Sequence, residues 1–174
     1  MARGSTFGAN REEELKESIK SLVDLIEISD QDRLLLTNAA HQTQQWVDEF
    51  VKMFYDTLFG YPSTQVLFRE GERPHRETTI RNWYLQVVNG KFDEQFWLAQ
   101  CQIGQRHVDR EILNSYMLAM MHKAQQFFLQ KCMTTFGQEE GLKVFTAFKR
   151  VTDIAAGIIA EGYHTPYAVM KVGR

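Results

Sequence analysis

Cysteine is scarce in this chain, and the spacing of its cysteines argues against a CxxC motif and against a structural zinc site. The 174 residues include only Cys101 and Cys132, which form neither a CxxC pair nor a zinc-ligand spacing. The five histidines also lack the close HxxxH or HExxH spacing of a metal site. Both cysteines fall inside predicted helices, so we expect buried free thiols. Free thiols suit a reducing compartment, and a cytoplasmic location is predicted.

Long apolar runs and an excess of one charge are absent as well. No apolar run approaches the roughly 18 residues that a membrane span requires, and the N-terminus MARGSTFGAN lacks an apolar signal core. The net charge is -2, and no basic run carries interleaved aromatic residues. These features argue against nucleic acid and membrane as partners. The length favours one domain, and a hydrophobic content of 44% is ordinary for a globular protein.

Proline is rare too, which leaves long uninterrupted segments. Only Pro62, Pro74 and Pro166 are present, and apolar residues between them recur at helical spacing. No convincing period-two stretch and no internal repeat is visible, so the sequence predicts an all-α fold. The expected helices run from about 12 to 28, 30 to 59, 74 to 88, 94 past 107, 112 to 135, and 139 to 161.

Local signals support several of these boundaries. Ser29 followed by Asp32 is a typical helix N-cap pattern, and Asp93 is expected to cap the helix that carries His107. Asn89-Gly90 and Gly137 are expected helix ends. The long segment from 30 to 59 could break near Asn38 or His41, although nothing in the sequence requires it. Only a turn or two fits between 64 and 68.

His107 raises the main functional question. Phe96, Ile103 and His107 are spaced seven and then four apart, so they share one helix face. Taken alone, such a histidine is more often a packed core residue than a ligand. A haem iron, however, can be held by one neutral imidazole whose other nitrogen is fixed by an acceptor. The carbonyl of Ile103, one turn back, could serve as that acceptor.

Other candidates stand beside equally ordinary structural alternatives. Tyr55 is either a core-boundary tyrosine with its hydroxyl in water or a donor to a bound ligand, since a buried tyrosine hydroxyl requires a partner. Thr79, Ile80 and Trp83 form an inner helix face that could pack on protein or on a porphyrin. His75 could reach the same space or remain free at the helix start. Met117, Met120 and Met121 are read as adaptable core.

The order of these features resembles the sensor-globin lineage, which comprises globin-coupled sensor haem domains, single-domain sensor globins and protoglobins. The resemblance is carried by FYDTL around Tyr55, by a short turn ending in Phe68, and by the Pro-started helix with TTIRNWYLQVVNGKFDEQFW. IGQRH and Tyr116 then follow. The resemblance covers about residues 29–163. It implies a three-over-three globin fold with an extra N-terminal helix and little or no D helix. Residues 1–28 would form an extension and pre-helix, and residues 29–174 the haem domain.

The resemblance also implies haem b, held without covalent links because no CxxCH is present. His107 matches the proximal iron ligand, and Tyr55 matches the distal tyrosine that hydrogen-bonds dioxygen. Thr79, or Ile80 in the alternative register, matches a distal position. The remaining expected pocket residues are Phe54, Phe68, His75, Trp83, Ile103 and Tyr116. After His107 the pattern departs, because Arg110-Glu111 and Asn114 stand where sensor members often carry Ile-Gly and Pro.

The function implied by the resemblance is reversible binding of dioxygen, and also of carbon monoxide and nitric oxide, by a haem-based sensor. A homodimer through the last two long helices would carry the signal, with a downstream signalling domain or protein as its output. The chain would be either a single-domain sensor globin or part of a longer protein. Two alternatives remain: a haem enzyme, such as a nitric oxide dioxygenase or weak peroxidase, and a haemless globin-like dimerisation domain.

Overall fold

The computed structural model describes the backbone of residues 5–164 and the side chains of residues 13–164, and every element within this range is helical. The elements are α1 (Ser5–Ile26), α2 (Asp30–Thr43), a 3₁₀ turn (Gln44–Trp46), α3 (Val47–Gly60), α4 (Pro62–Gln65), α5 (Arg73–Val88), α6 (Glu94–Asp109) and α7 (Asn114–Gly162). The expectation of an all-α fold is confirmed. Within residues 5–164, no helix combines the length and apolar character needed to cross a membrane.

Two predicted N-caps are present as hydrogen bonds. At the start of α2, the backbone N–H of Asp32 donates to Ser29 Oγ at 3.3 Å, and Ser29 N–H donates to Asp32 Oδ2 at 2.8 Å. Asp32 is also buried, and it accepts a hydrogen bond from Arg150 Nη1 at 2.9 Å. At the start of α6, Asp93 Oδ1 accepts from Phe96 N–H at 2.9 Å. The first cap therefore also joins α2 to α7.

The break in the long segment lies later than expected. The helix continues past Asn38 and His41 and ends at Thr43, where a 3₁₀ turn leads into α3. Trp46 is buried at this turn, with its ring centroid 5.6 Å from that of Phe128. Its packing partner is distant in sequence, so the break coincides with a tertiary contact rather than with a local stop signal.

Helix α7 consists of two arms that fold back on each other at Gly137. Gly137 has φ 77° and ψ -178°, a backbone conformation that glycine adopts without steric cost. The first arm (114–136) and second arm (138–162) meet through the rings of Phe128 and Phe148, which stack with centroids 3.8 Å apart. Gln125 Nε2 donates to Asp153 Oδ1 at 2.6 Å. The predicted helix end at Gly137 is therefore present.

The core is aromatic where α3 and α5 meet the arms of α7. Tyr84 is fully buried, stacks on Phe50 at 4.5 Å, and donates its hydroxyl hydrogen to the Thr43 carbonyl at 2.7 Å. Leu15 and Ile19 of α1 belong to the same cluster of buried side chains. The N-terminal helix thus covers the core rather than extending away from it.

The end of α6 crosses the end of α7 with no side chain between the two backbones. A Cβ atom placed on Gly104 would lie 2.0 Å from the carbonyl oxygen of Ile159, and one placed on Gly162 would lie 2.2 Å from that of Cys101. Neither distance is sterically allowed, so only glycine permits this approach. His107 lies three residues beyond this crossing, and its position is therefore set by the contact between α6 and α7.

Substitution of Gly104 by alanine is expected to destabilise the fold. The new methyl group would meet a backbone carbonyl, so α6 and α7 must separate, at a cost of about 1–3 kcal/mol in free energy of unfolding. Urea unfolding measures the change. Gly60→Ala is the matched control, because a methyl group added there would have no heavy atom within 4 Å beyond its own helix backbone and chain neighbours. Equal stability of the two variants would contradict the close crossing.

Candidate functional site

A predominantly apolar cavity lies among α3, α5, α6 and α7. Its volume is about 210 Å³. The residues expected from the sequence that line it are Phe54, Tyr55, Phe68, Thr79, Ile80, Trp83, Ile103, His107 and Tyr116. Both candidates for the distal position after Pro74, Thr79 and Ile80, contribute to the wall. Helical folding thus brings together residues that are separated by up to about sixty positions in the chain.

His75 is the exception among the expected pocket residues. It lies in the first turn of α5 with its side chain exposed, and it is not part of the cavity wall. One turn later, the hydroxyl of Thr79 donates to the backbone carbonyl of His75 at 3.2 Å. Helix periodicity places His75 at the edge of the face that carries Ile80 and Trp83 rather than within it.

His107 occupies the last turn of α6, and its ring is held by a residue that sequence reasoning missed. Its Nδ1 lies 3.0 Å from the hydroxyl oxygen of Tyr163, whereas the partner expected from the sequence was the carbonyl of Ile103. Tyr163 follows directly after α7 and is 56 positions away in sequence. No local spacing rule links the two residues, because their contact arises from the α6–α7 crossing.

The electrostatic environment keeps His107 neutral. Burial lowers the pKa of its imidazole from 6.5 to about 4, and the nearby charges of Arg110 and Arg76 act in the same direction. Only a neutral imidazole can bind a metal ion, so His107 is in the required protonation state at pH 7. Among residues 13–164, whose side chains the structure describes, no group of three or more His, Cys, Asp or Glu side chains that could hold a metal ion occurs. His107 is the one histidine among the described residues that line the cavity.

Tyr55 is the second polar group in an otherwise apolar part of the wall. Its side chain is 5% exposed and packs edge-on against Phe54 and Phe68, at centroid distances of 5.6 and 5.9 Å. Burial raises the pKa of its hydroxyl well above the usual value, so the group is protonated and can donate. Within the part of the chain that the structure describes, this hydroxyl has no hydrogen-bond partner.

Trp83 is fixed in the wall by a buried glutamine that the sequence did not single out. Its indole N–H donates to Gln100 Oε1 at 3.0 Å, and Gln100 Nε2 donates to the carbonyl of Phe96 at 2.8 Å. Gln100 is 2% exposed. These bonds connect α5 to α6 and satisfy both side-chain polar groups, so the indole presents its ring to the cavity in one orientation.

Arg76, Arg106 and Arg110 also line the cavity and make its polar edge cationic. Arg110 Nη2 donates to Glu72 Oε2 at 2.7 Å and to the carbonyl of Leu67 at 2.9 Å. Arg76 Nε donates to Glu72 Oε1 at 2.9 Å. Hydrogen bonds from Arg110 hold the pKa of the Glu72 carboxyl far below its usual range. Three guanidinium groups and one carboxylate leave an excess of positive charge at this edge.

The segment after His107, where the sequence departs from the expected pattern, forms a tight turn. Ile112 N–H donates to the carbonyl of His107 at 2.8 Å, and Glu111 adopts a positive φ of 58°. This turn directs Arg110 towards Glu72 and Ile112 into the cavity wall. The departure therefore has a structural role, because it connects the end of α6 to the loop that precedes α5.

The arrangement of helices is that of a globin. The structure is similar to the globin domain of a Geobacter sulfurreducens globin-coupled sensor, with a TM-score of 0.77 and 22% sequence identity, over 84% of this chain and 97% of that one. Between α4 and α5, residues 66–72 contain no helix, and α1 is the additional N-terminal helix. The expected three-over-three globin fold with little or no D helix is confirmed.

The chain belongs to the protoglobin family, whose family model matches residues 15–168. Comparison with curated proteins finds no match. The expected resemblance to the sensor-globin lineage is confirmed. Membership of a globin family implies haem binding.

The depressed pKa of His107 predicts a specific pH dependence of stability in the protein without added haem. In the unfolded chain the imidazole titrates near 6.5, and in the folded chain near 4. Between these values the unfolded chain binds more protons, so the free energy of unfolding falls as the pH falls through this window. His107→Gln lacks this contribution. It should lose less stability than the wild type between about pH 7 and about pH 5, as measured by urea unfolding. Equal losses would contradict the depressed pKa.

Proposed function

We propose that this protein is a haem-based gas sensor that binds haem b non-covalently and dioxygen reversibly, with carbon monoxide and nitric oxide as further ligands. One observation supports this proposal most directly. A single apolar cavity is lined by a neutral imidazole and by a protonated tyrosine hydroxyl, His107 and Tyr55. Among the residues whose side chains the structure describes, neither Tyr55 Oη nor the Nε2 atom of His107 has a hydrogen-bond partner.

The residues present fit a haem. His107 would hold the iron through Nε2, because its Nδ1 is already engaged by Tyr163. Phe68, Trp83 and Ile103 would pack against the macrocycle, and the arginines at the polar edge would meet the two propionate carboxylates. Bound haem supplies a ferrous iron that takes a diatomic gas as a further ligand. The protein supplies the apolar surroundings and two oriented polar groups.

Tyr55 is the residue that would recognise the gas ligand. Its hydroxyl is protonated and has no competing acceptor among the described residues, so it can donate to dioxygen, which carries partial negative charge when bound. Thr79 is less suited to this task because its hydroxyl already donates to the carbonyl of His75. Ile80 would close the wall with an apolar side chain. The proposed recognition therefore rests on one strong donor.

We infer that the output is a homodimer formed by the two arms of α7. Leu118 on the first arm and Leu142 on the second arm expose 49% and 53% of their surface, so each arm carries an apolar side chain that a partner chain would cover. A two-fold dimer would place the same arms of two chains against each other. A peroxidase would benefit from a distal acid or base, and His75 is exposed outside the cavity, so no observation favours that activity over sensing.

The proximal role of His107 is tested by His107→Ala after reconstitution with haem. The wild type should show the Soret band of a histidine-ligated haem, and the variant should lose this spectrum or bind haem much more weakly, because no other imidazole lines the described cavity. His75→Ala is the matched control and should leave the spectrum unchanged. An unchanged spectrum in His107→Ala would show that the assignment is wrong. Absence of a Soret band in the wild type would contradict the proposed function itself.

The distal role of Tyr55 is tested by Tyr55→Phe, which removes only the hydroxyl. Loss of a typical hydrogen bond is worth about 0.5–1.5 kcal/mol, so dioxygen should dissociate roughly two- to tenfold faster. Stopped-flow spectroscopy measures this rate. Tyr84→Phe is the control, since it removes a buried hydroxyl that is bonded to the Thr43 carbonyl, outside the cavity wall. Identical dissociation rates in Tyr55→Phe and the wild type would exclude a contact between Tyr55 and the ligand.

A further inference from the structure

The ends of α6 and α7 meet at a contact that we call the α6–α7 junction, formed by Cys101, Gly104, His107, Gly162 and Tyr163. At its centre the two backbones touch, because a methyl group on Gly104 or on Gly162 would overlap a carbonyl of the other helix. At its edge the hydroxyl of Tyr163 lies 3.0 Å from Nδ1 of His107. The junction therefore links α6 to the end of α7 by a backbone contact, and it links the His107 imidazole to the same end by a hydrogen bond.

The hydrogen bond has a defined direction if Nε2 of His107 binds iron. Nδ1 must then carry the ring proton, so it donates and the hydroxyl oxygen of Tyr163 accepts. The two rings also contact edge to face, with centroids 5.9 Å apart. Donation from a ligating histidine to an acceptor fixes the ring orientation and makes its metal-binding nitrogen more basic.

The Gly104–Gly162 crossing allows a movement of α6 to act directly on α7. Where side chains separate two helices, a small shift of one helix can be absorbed by rotamer changes. Here backbone atoms are in contact, and closely packed interiors transmit strain. A displacement of His107 along or across α6 would therefore move Gly162 and Tyr163 with it. The end of α7 would therefore be the first part of the proposed dimer interface to move.

We propose that Tyr163 is a positioning residue for His107 that also couples the proximal imidazole to the C-terminal end of α7. The inference rests on the proposed function, because it requires iron at Nε2 of His107. It goes beyond that function in assigning the route by which the ligand state reaches the signalling helix. Tyr163 does not line the cavity, so it acts only through His107.

Tyr163→Phe tests the positioning role, with Tyr84→Phe as the matched control that also removes one hydrogen-bonded tyrosine hydroxyl. In the ferrous, ligand-free protein, resonance Raman spectroscopy reports the iron–histidine stretching frequency. This frequency should fall in Tyr163→Phe, because the imidazole loses its acceptor and becomes less basic, and it should be unchanged in Tyr84→Phe. The rate of haem transfer to an acceptor apoglobin should be roughly tenfold to a hundredfold higher in Tyr163→Phe than in the wild type.

If Tyr163→Phe has the same iron–histidine stretching frequency as the wild type and retains haem equally well, this inference is overturned while the proposed function stands. If the wild type binds no haem, or binds it without a histidine ligand, both fail together. These outcomes are distinguishable because the first is read in a protein with an intact Soret band.

Hydrogen exchange in the wild type tests the coupling without any variant. Amide protection in the last turns of α7, from Ile154 to Gly162, should differ between the ligand-free ferrous protein and its carbon monoxide complex. The peptide covering Phe50 to Thr57 contains Tyr55, so it is the control for changes in protection that arise only from ligand binding beside Tyr55. Unchanged protection at the end of α7, together with a change near Tyr55, would overturn the coupling.

Discussion

The close crossing of α6 and α7 determines where His107 lies in the cavity wall. Gly104 and Gly162 allow two helix backbones to touch, and that contact brings Tyr163 within hydrogen-bond distance of His107. The imidazole is thereby held in one orientation beside an apolar cavity. Any larger residue at either glycine would separate the helices, and the imidazole would lose both its partner and its place in the wall.

The cavity combines groups whose environments prepare them for different tasks. Burial and two neighbouring arginines keep His107 neutral, whereas burial keeps the Tyr55 hydroxyl protonated. The His107 imidazole can therefore bind a metal ion, and the Tyr55 hydroxyl can donate a hydrogen bond. At the polar edge, Glu72 holds Arg76 and Arg110 in place while their combined charge stays positive. The Glu72 carboxylate thus orients both guanidinium groups without neutralising their combined charge.

Local signals in the sequence were sufficient for several helix boundaries, although α1 begins at Ser5 rather than near residue 12. Ser29 and Asp93 act within three residues of their partners, and Gly137 adopts a conformation that depends on its own missing side chain. The break after Thr43 was different, because it coincides with the burial of Trp46 against Phe128. Helical periodicity likewise identified the inner faces that became the cavity wall. His75 was expected in the pocket, but it lies at the edge of the inner face of α5, in the first turn, and is exposed.

Periodicity along the chain is a local property, so it was enough to predict the all-α fold and the residues on each inner face. The roles expected for Tyr55 and His107 came from the resemblance to sensor globins. Helix packing, in contrast, was needed to show that Tyr163 holds His107, that Gln100 fixes Trp83, and that Arg110 binds Glu72 in a segment that departs from the expected pattern. Each of these contacts joins residues on different elements. Their physical basis is the packing of one helix against another, which no spacing rule along a single chain encodes.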